Sequence, residues 1–251
     1  MSKLNGKIAV VTGGNSGIGY ASAKELKENG ATVIITGRSA EKVKIASEKL
    51  GVKGIVADVK SISAIEDLVE QVKTDFGKVD VLFVNAGIFQ AAPIGQISEE
   101  MFDHQMGINF KGAFFTTEKF LPILNDGASI INLSSVIAYT GMPNTAVYAA
   151  SKAALNSYTR TAATEFAPRK IRVNVINPGP IATPIYEKTG MEEEQLNGFA
   201  EAMQNRIPLK RFGQPEEVAK LVSFLASDDA SFITGSEYNI DGGININPLL
   251  G

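Results

Sequence analysis

The chain reads as a doubly wound α/β protein, with a parallel sheet of about seven strands and helices on both faces. Three observations predict this. The runs IAVV, TVIIT, VDVLFV and SIINL are continuously apolar, as strands covered on both faces must be. Helical patterns separate them, and strict β-α alternation gives parallel pairing through crossovers. No linker, low-complexity tract or internal repeat divides the 251 residues, so one domain over 1–251 is expected.

Taken in order, strands are predicted at Ile8–Thr12, Thr32–Thr36, Lys53–Val56, Val79–Val84, Ser129–Leu133, Ile171–Ile176 and Glu237–Ile240. Helices are predicted at 17–29, 40–50, 61–76, 98–124, 145–166 and 215–226. The stretch 183–214 breaks the alternation. It follows the sixth strand, where ligands bind in open α/β sheets, and is read as a lid over the substrate.

Composition excludes several chemistries. There is no cysteine and one histidine, His104, in a polar helical stretch, so thiolate and multi-histidine metal sites are ruled out. A net charge of −3 without basic runs argues against nucleic acid or an anionic membrane as partner. The first apolar run, Ile8 to Val11, is too short for a signal-peptide core or a membrane span, so a soluble, cytoplasmic protein is expected.

Between the first strand and the first helix lies Thr12-Gly13-Gly14-Asn15-Ser16-Gly17-Ile18-Gly19. A glycine turn there lets the backbone approach a pyrophosphate, which the free N–H groups of the helix start can bind. At the end of the second strand stands Thr36-Gly37-Arg38-Ser39, without the carboxylate that would hold the ribose hydroxyls of NAD. Arg38 and Ser39 can grip a 2′-phosphate, so NADP is expected rather than NAD. Asp58 and Val59 follow the third strand, where a carboxylate can accept from an adenine amino group. Asn85, Ala86 and Gly87 follow the fourth, where small residues leave room for the nicotinamide ribose.

The stretch from Ile130 to Lys152 holds the reactive groups. Tyr148 and Lys152 are four residues apart and share one helix face, and Ser135 arrives from the end of the fifth strand. A phenol beside an ammonium is a proton-transfer pair. Spacing alone does not choose it, because Tyr20 and Lys24 repeat the pattern. The residue thirteen before Tyr20 is Lys7, whereas Ser135 stands thirteen before Tyr148, so Tyr20 and Lys24 are read as structural.

TGGNSGIG, VNAG, Ser135 with Tyr148-x-x-x-Lys152, and Asn177-Pro178-Gly179 occur in this order. The combination closely resembles the short-chain dehydrogenase/reductase family, from Gly6 to Asp241-Gly242-Gly243. The resemblance implies a Rossmann-like sheet, nicotinamide-dependent carbonyl/alcohol chemistry and a homotetramer. It also implies that Asn109, in Gly107-Ile108-Asn109-Phe110-Lys111-Gly112, completes the site, its amide holding a water that joins Lys152 to solvent. Tyr148 would be the proton donor, and Ser135 would hydrogen-bond the carbonyl oxygen. Lys152 would lower the phenol pKa and anchor the nicotinamide ribose. Pro178, Gly179, Ile181 and Thr183 would line the nicotinamide face.

A 3-oxoacyl-carrier-protein reductase is the alternative within the family. The turn Leu124-Asn125-Asp126-Gly127-Ala128 lacks the basic residues expected for docking an acidic carrier, although Arg169, Lys170 and Arg172 form a possible patch nearby. A non-catalytic NADP-binding sensor or scaffold is a third reading, which the presence of Ser135, Tyr148 and Lys152 disfavours. Ile88, Phe89 and Ile94, with Ile185, Tyr186, Met191, Leu196, Phe199 and Met203 of the lid, suggest a partly apolar carbonyl substrate. The helix 145–166 is apolar on more than one side, so a second copy is expected to cover part of it.

Overall fold

The computed structural model describes residues 3–183 and 193–246. In chain order these form β1 (Ile8–Val11), α1 (Gly17–Glu28), β2 (Thr32–Gly37), α2 (Ala40–Leu50), β3 (Lys53–Val56), α3 (Ile62–Phe76) and β4 (Val79–Val84). Then come α4 (Glu99–Met106), α5 (Ala113–Phe120), β5 (Leu124–Leu133), α6 (Ala146–Phe166), β6 (Arg172–Pro178), α7 (Glu193–Arg206), α8 (Pro215–Ala226) and β7 (Glu237–Ile240). The strands make one seven-stranded sheet in the order β3-β2-β1-β4-β5-β6-β7. Every neighbouring pair is parallel.

Alternate residues of each strand enter opposite cores. Val10, Ile34, Leu82 and Ile130 pack with Leu68, Phe120, Leu155 and Phe166 on the α3–α5–α6 face. Val11, Ile35, Phe83 and Ile131 pack with Leu26, Leu50, Val218 and Val222 on the α1–α2–α8 face. Both cores are apolar, which is why the strands carry no polar alternation.

Helix starts follow from local chemistry. Ser39 and Ser61 cap α2 and α3, each hydroxyl accepting a backbone N–H of the first turn. The start of α8 carries a capping box between Gln214 and Glu217. At α1 the Ser16 side chain makes no such bond, and no acidic residue stands in its first turn.

Two predicted boundaries are corrected. The single helix at 98–124 is three pieces: α4, a π-helical turn over Gly107–Gly112, and α5. Gly112, at the end of the π turn, packs too closely for any other residue, since a Cβ there would stand 2.7 Å from the Val59 carbonyl oxygen. Pro122 then tightens the end into a 3-10 turn at Leu121–Ile123. The fifth strand begins at Leu124 rather than Ser129, pairing with Val79 across an irregularity before regular register resumes at Ser129. No helix among the described residues is long and apolar enough to cross a membrane.

Of the stretch read as a lid, α7 is described and 184–192 lie outside the described residues, with Ile185, Tyr186 and Met191 among them. The side chains of Leu196 and Phe199 are likewise outside the description. The far end of the stretch is anchored. Ile207 is buried, Leu209 N–H donates to the Gly242 carbonyl (3.2 Å), and Arg211 holds Glu217 through two bonds.

Candidate active site

The glycine loop closes over the ends of β1 and β4. Thr12 Oγ1 accepts from Asn85 N–H (3.0 Å) and Ala86 N–H (3.1 Å). The Asn85 amide donates to the carbonyls of Thr12 (2.8 Å) and Gly13 (3.1 Å). Asn85 thus uses both amide hydrogens to shape the loop. A Cβ on Gly19 would stand 2.3 Å from the Gly13 carbonyl oxygen, so only glycine lets α1 start this close to the turn. Asn15 Oδ1 lies against Gly37, and Thr183 packs over Gly17. Ile18, Ile181 and Val59 direct their side chains into the interior. Those three can meet a ligand through their backbone.

At the end of β2, Arg38 is exposed and makes no hydrogen bond or ion pair with any described residue. The Ser39 oxygen accepts from Lys42 N–H (3.4 Å), which leaves its hydroxyl hydrogen free to donate outward. Asp58 Oδ1 accepts from Lys60 N–H (3.0 Å), shaping the turn after β3. Pro178 ends β6, and Gly179 N–H donates to the Ile240 carbonyl (3.0 Å). Because β3, β2, β1, β4, β5 and β6 are consecutive neighbours, these groups form one row along the C-terminal sheet edge.

Ser135 opens a one-turn 3-10 helix, its oxygen accepting from Ile137 N–H (3.2 Å). Tyr148 is half-buried, and its hydroxyl lies beside the Ser135 side chain. Burial raises the phenol above its ordinary range, and side-chain hydrogen bonding with Ser135 pulls it partly back. Phe89 sets its ring edge-on against Tyr148, with centroids 5.0 Å apart. Lys152 Nζ lies 5.8 Å from the Tyr148 ring centroid and donates to the Leu133 carbonyl (2.7 Å). Burial lowers Lys152 to about 8. Ser134 Oγ donates to the Lys152 carbonyl (3.0 Å), which fastens this turn of α6 to the end of β5.

Desolvation penalises the charged forms of Tyr148 and Lys152 alike, and the Lys152 ammonium donates to the Leu133 carbonyl. The Asn109 amide is engaged by protein groups. Its Oδ1 accepts from Ile88 N–H (2.8 Å), and its Nδ2 donates to the Ile88 carbonyl (2.9 Å) and to Ser151 Oγ (3.2 Å). Asn109 therefore pins the loop after β4 like a short stretch of added strand. Gly87 lies beside both Asn109 Oδ1 and Lys152 Nζ.

The structure also brings in residues that sequence reasoning missed. Thr12, Ser134 and Ser151 each tie two parts of the site together, and buried Gln105 accepts from Gln90 N–H (2.6 Å). Thr12 opens the glycine motif and so had a signal; the others are ordinary polar residues in their local sequence. Elsewhere, Lys24 pairs with Glu28, and Tyr20 of α1 packs against the core with Lys49 Nζ 6.0 Å from its ring centroid. His104 Nδ1 lies 3.4 Å from Lys60 Nζ on the surface.

A family model described as Enoyl-(Acyl carrier protein) reductase matches residues 13–245. The 3-oxoacyl-[acyl-carrier-protein] reductase FabG of Thermotoga maritima is 41% identical, covering 97% of this chain and 100% of that protein. Among solved structures, a Serratia marcescens short-chain dehydrogenase/reductase superposes with a TM-score of 0.89 at 32% identity, over 97% of this chain and 99% of that one. A blue fluorescent protein from a metagenomic library, in complex with NADPH, gives 0.88 at 34% identity, over 96% and 99%. Fold, motif order and these likenesses agree: the chain belongs to the short-chain dehydrogenase/reductase family, whose members are oxidoreductases that bind a nicotinamide cofactor.

Proposed function

We propose that the protein interconverts a ketone or aldehyde and its alcohol with NADP(H), using Tyr148 as the acid/base. The observation that carries the reading is the meeting of Tyr148, Ser135 and Lys152 at the end of β5, beside the glycine loop. The uncapped start of α1 suits a pyrophosphate, and the unpartnered Arg38 with the outward hydroxyl of Ser39 suits a 2′-phosphate. Asp58, Val59, Ala86, Gly87, Pro178, Gly179, Ile181 and Thr183 would line the remainder of the same row. The NADPH complex of a neighbour at 34% identity supports the choice of cofactor.

When bound, the nicotinamide supplies the hydride and, once oxidised, a positive charge near the phenol. In the reductive direction Tyr148 gives its proton to the carbonyl oxygen, and burial keeps that proton in place at neutral pH. Ser135 donates to the same oxygen as negative charge develops. Lys152, protonated below about 8, would support the phenolate left behind, and from its place beside Gly87 it would hold the nicotinamide ribose. Asn109 holds Ile88, and through it the wall on which the substrate rests.

The test is NADPH oxidation with ethyl acetoacetate, the acetoacetyl thioester of N-acetylcysteamine, cyclohexanone and benzaldehyde. Tyr148→Phe is expected to lower turnover about 10²- to 10⁴-fold, with NADPH binding, read by fluorescence, retained. Full activity in that variant rejects the assignment. A wild-type protein that binds NADPH and reduces none of the four carbonyls would favour a sensor.

The name of the Thermotoga maritima relative favours a second reading, reduction of a 3-oxoacyl group on a carrier protein. The surface speaks less for it. Arg169 is committed to Asp126 and to the Leu121 and Leu124 carbonyls. Arg172 is buried and donates to the Leu225 and Ser227 carbonyls. Of that patch, Lys170 alone is exposed with no side-chain partner among the described residues. A marked preference for acetoacetyl-carrier protein over the free thioester would make this the correct reading. Assembly as a homotetramer is part of the proposal.

A further inference from the structure

Tyr148, Lys152, Asn156 and Arg160 recur every four residues, so one face of α6 carries all four. The first two belong to the site described above, and the second two meet at Tyr139. This tyrosine follows the 3-10 turn that Ser135 opens. Its hydroxyl accepts from Asn156 Nδ2 (2.9 Å) and from Asn177 Nδ2 (3.0 Å), and donates to the Glu237 carboxylate. One proton and two lone pairs are the full capacity of a phenol. Asn156 Nδ2 also donates to Glu237 Oε2 (2.9 Å), and Arg160 pairs with the other oxygen of that carboxylate.

The engaged part of Tyr139 is the hydroxyl. The residue as a whole is 52% exposed and fills little of the core, whereas Asn156 and Asn177 are buried. Both amide nitrogens donate here, and orphaning such a buried donor costs about 1–3 kcal/mol. The hydroxyl joins four segments: the turn that starts at Ser135, α6 one turn past Lys152, the Asn177-Pro178-Gly179 end of β6, and the first residue of β7.

We propose that Tyr139 is a positioning residue, whose hydroxyl holds the Ser135 turn, the Tyr148–Lys152 face of α6 and the Asn177-Pro178-Gly179 segment in one register. The proposal rests on the reading of Tyr148 given above. Phenylalanine would keep the ring and remove the link, leaving an Asn177 N–H without its acceptor and the three segments to drift separately. Displacements on the order of 1 Å at a reacting group lower rates by up to about 100-fold.

The experiment compares Tyr139→Phe, Glu237→Gln and Glu237→Leu with wild type, using the fastest of the four carbonyls. Tyr139→Phe is expected to lower kcat by about 10- to 100-fold, with Kd for NADPH and the folded fraction by circular dichroism unchanged. Glu237→Gln keeps an acceptor for the Tyr139 hydroxyl and should retain about tenfold more kcat than Glu237→Leu. Wild-type kcat in Tyr139→Phe overturns the proposal, as does a loss that vanishes when scaled to folded protein. Should Tyr139→Phe not fold, the two Glu237 variants decide, and equal kcat in both overturns it. Tyr148→Phe, run alongside, separates the two claims. If that variant stays active, the reading of the site fails and the clamp with it; if it is dead while Tyr139→Phe is normal, the clamp alone fails.

Discussion

Lys152 is asked to be charged in a place that opposes charge. It is 4% exposed, its ammonium has the Leu133 carbonyl as hydrogen-bond partner, and burial lowers it to about 8. A lysine of ordinary affinity in the unfolded chain holds its proton to about 10.4. Between about 8 and 10.4 the unfolded chain therefore binds more protons, and stability contributed by this residue rises with pH across that window. In the cofactor-free protein, Lys152→Met is expected to be favoured relative to wild type at pH 7, with the difference moving toward wild type by about 3 kcal/mol as pH approaches 10. Chemical denaturation at pH 7, 8, 9 and 10 measures it; a difference independent of pH would show that the ammonium is not buried in solution. Tyr148, raised by burial, works against stability only above its ordinary value near 10 and leaves the lower part of the window clean. The identities of Ser135, Tyr148 and Lys152 were legible because spacing and strand-end position select them together. The partners of Asn109 were not. Whether an amide binds a water or a backbone depends on which loop folds against it, and nothing near Asn109 in sequence names Ile88.

At the scale of elements, the proposed choice of NADP rests on the junction of β2 and α2. The strand ends at buried Gly37, Arg38 stands exposed and unpartnered among the described residues, and Ser39 caps α2. An acidic residue there would accept from ribose hydroxyls and repel a 2′-phosphate. Arg38→Asp is accordingly expected to raise Kd for NADPH by about 100-fold or more, about 3 kcal/mol, and to leave Kd for NADH nearly unchanged. Fluorescence titration of both cofactors checks it; equal affinities before and after the change would show that the junction does not read the phosphate. Strands and most helices were legible because continuous apolar runs and capping serines are local signals. The π turn was not. The apolar residues of 98–124 carry no local mark of a π turn over Gly107–Gly112, and the close approach of Gly112 to the Val59 carbonyl is made across space. The early start of β5 was hidden likewise, since Asn125-Asp126-Gly127 reads as a turn and joins the strand only through its pairing with Val79.

At the scale of the molecule, the sheet order sets the strand ends bearing the candidate site groups side by side, so each group named for the site comes from one chain. α6 also has an outward face. Its inner face is buried by Val147, Leu155, Ala162, Ala163 and Phe166, whereas Ala146, Ala150, Ala153, Ser157, Thr161 and Thr164 stand exposed. Small side chains on an outward helix face let another helix approach closely, and the proposed tetramer would use that face. In a single chain Ala153→Glu would change stability by only about 0.5 kcal/mol, as exposed helix positions do. Between two helices the same carboxylate would be desolvated without a partner, at about 3–5 kcal/mol. Light scattering after size exclusion is therefore expected to find a tetramer for wild type and smaller species for Ala153→Glu. A monomeric wild type, or an unchanged tetramer in the variant, removes α6 as the interface. Because the reactive groups need no second chain, the dissociated variant should still turn over the carbonyl. Loss of turnover with NADPH still bound would mean that the neighbouring copy completes the substrate pocket.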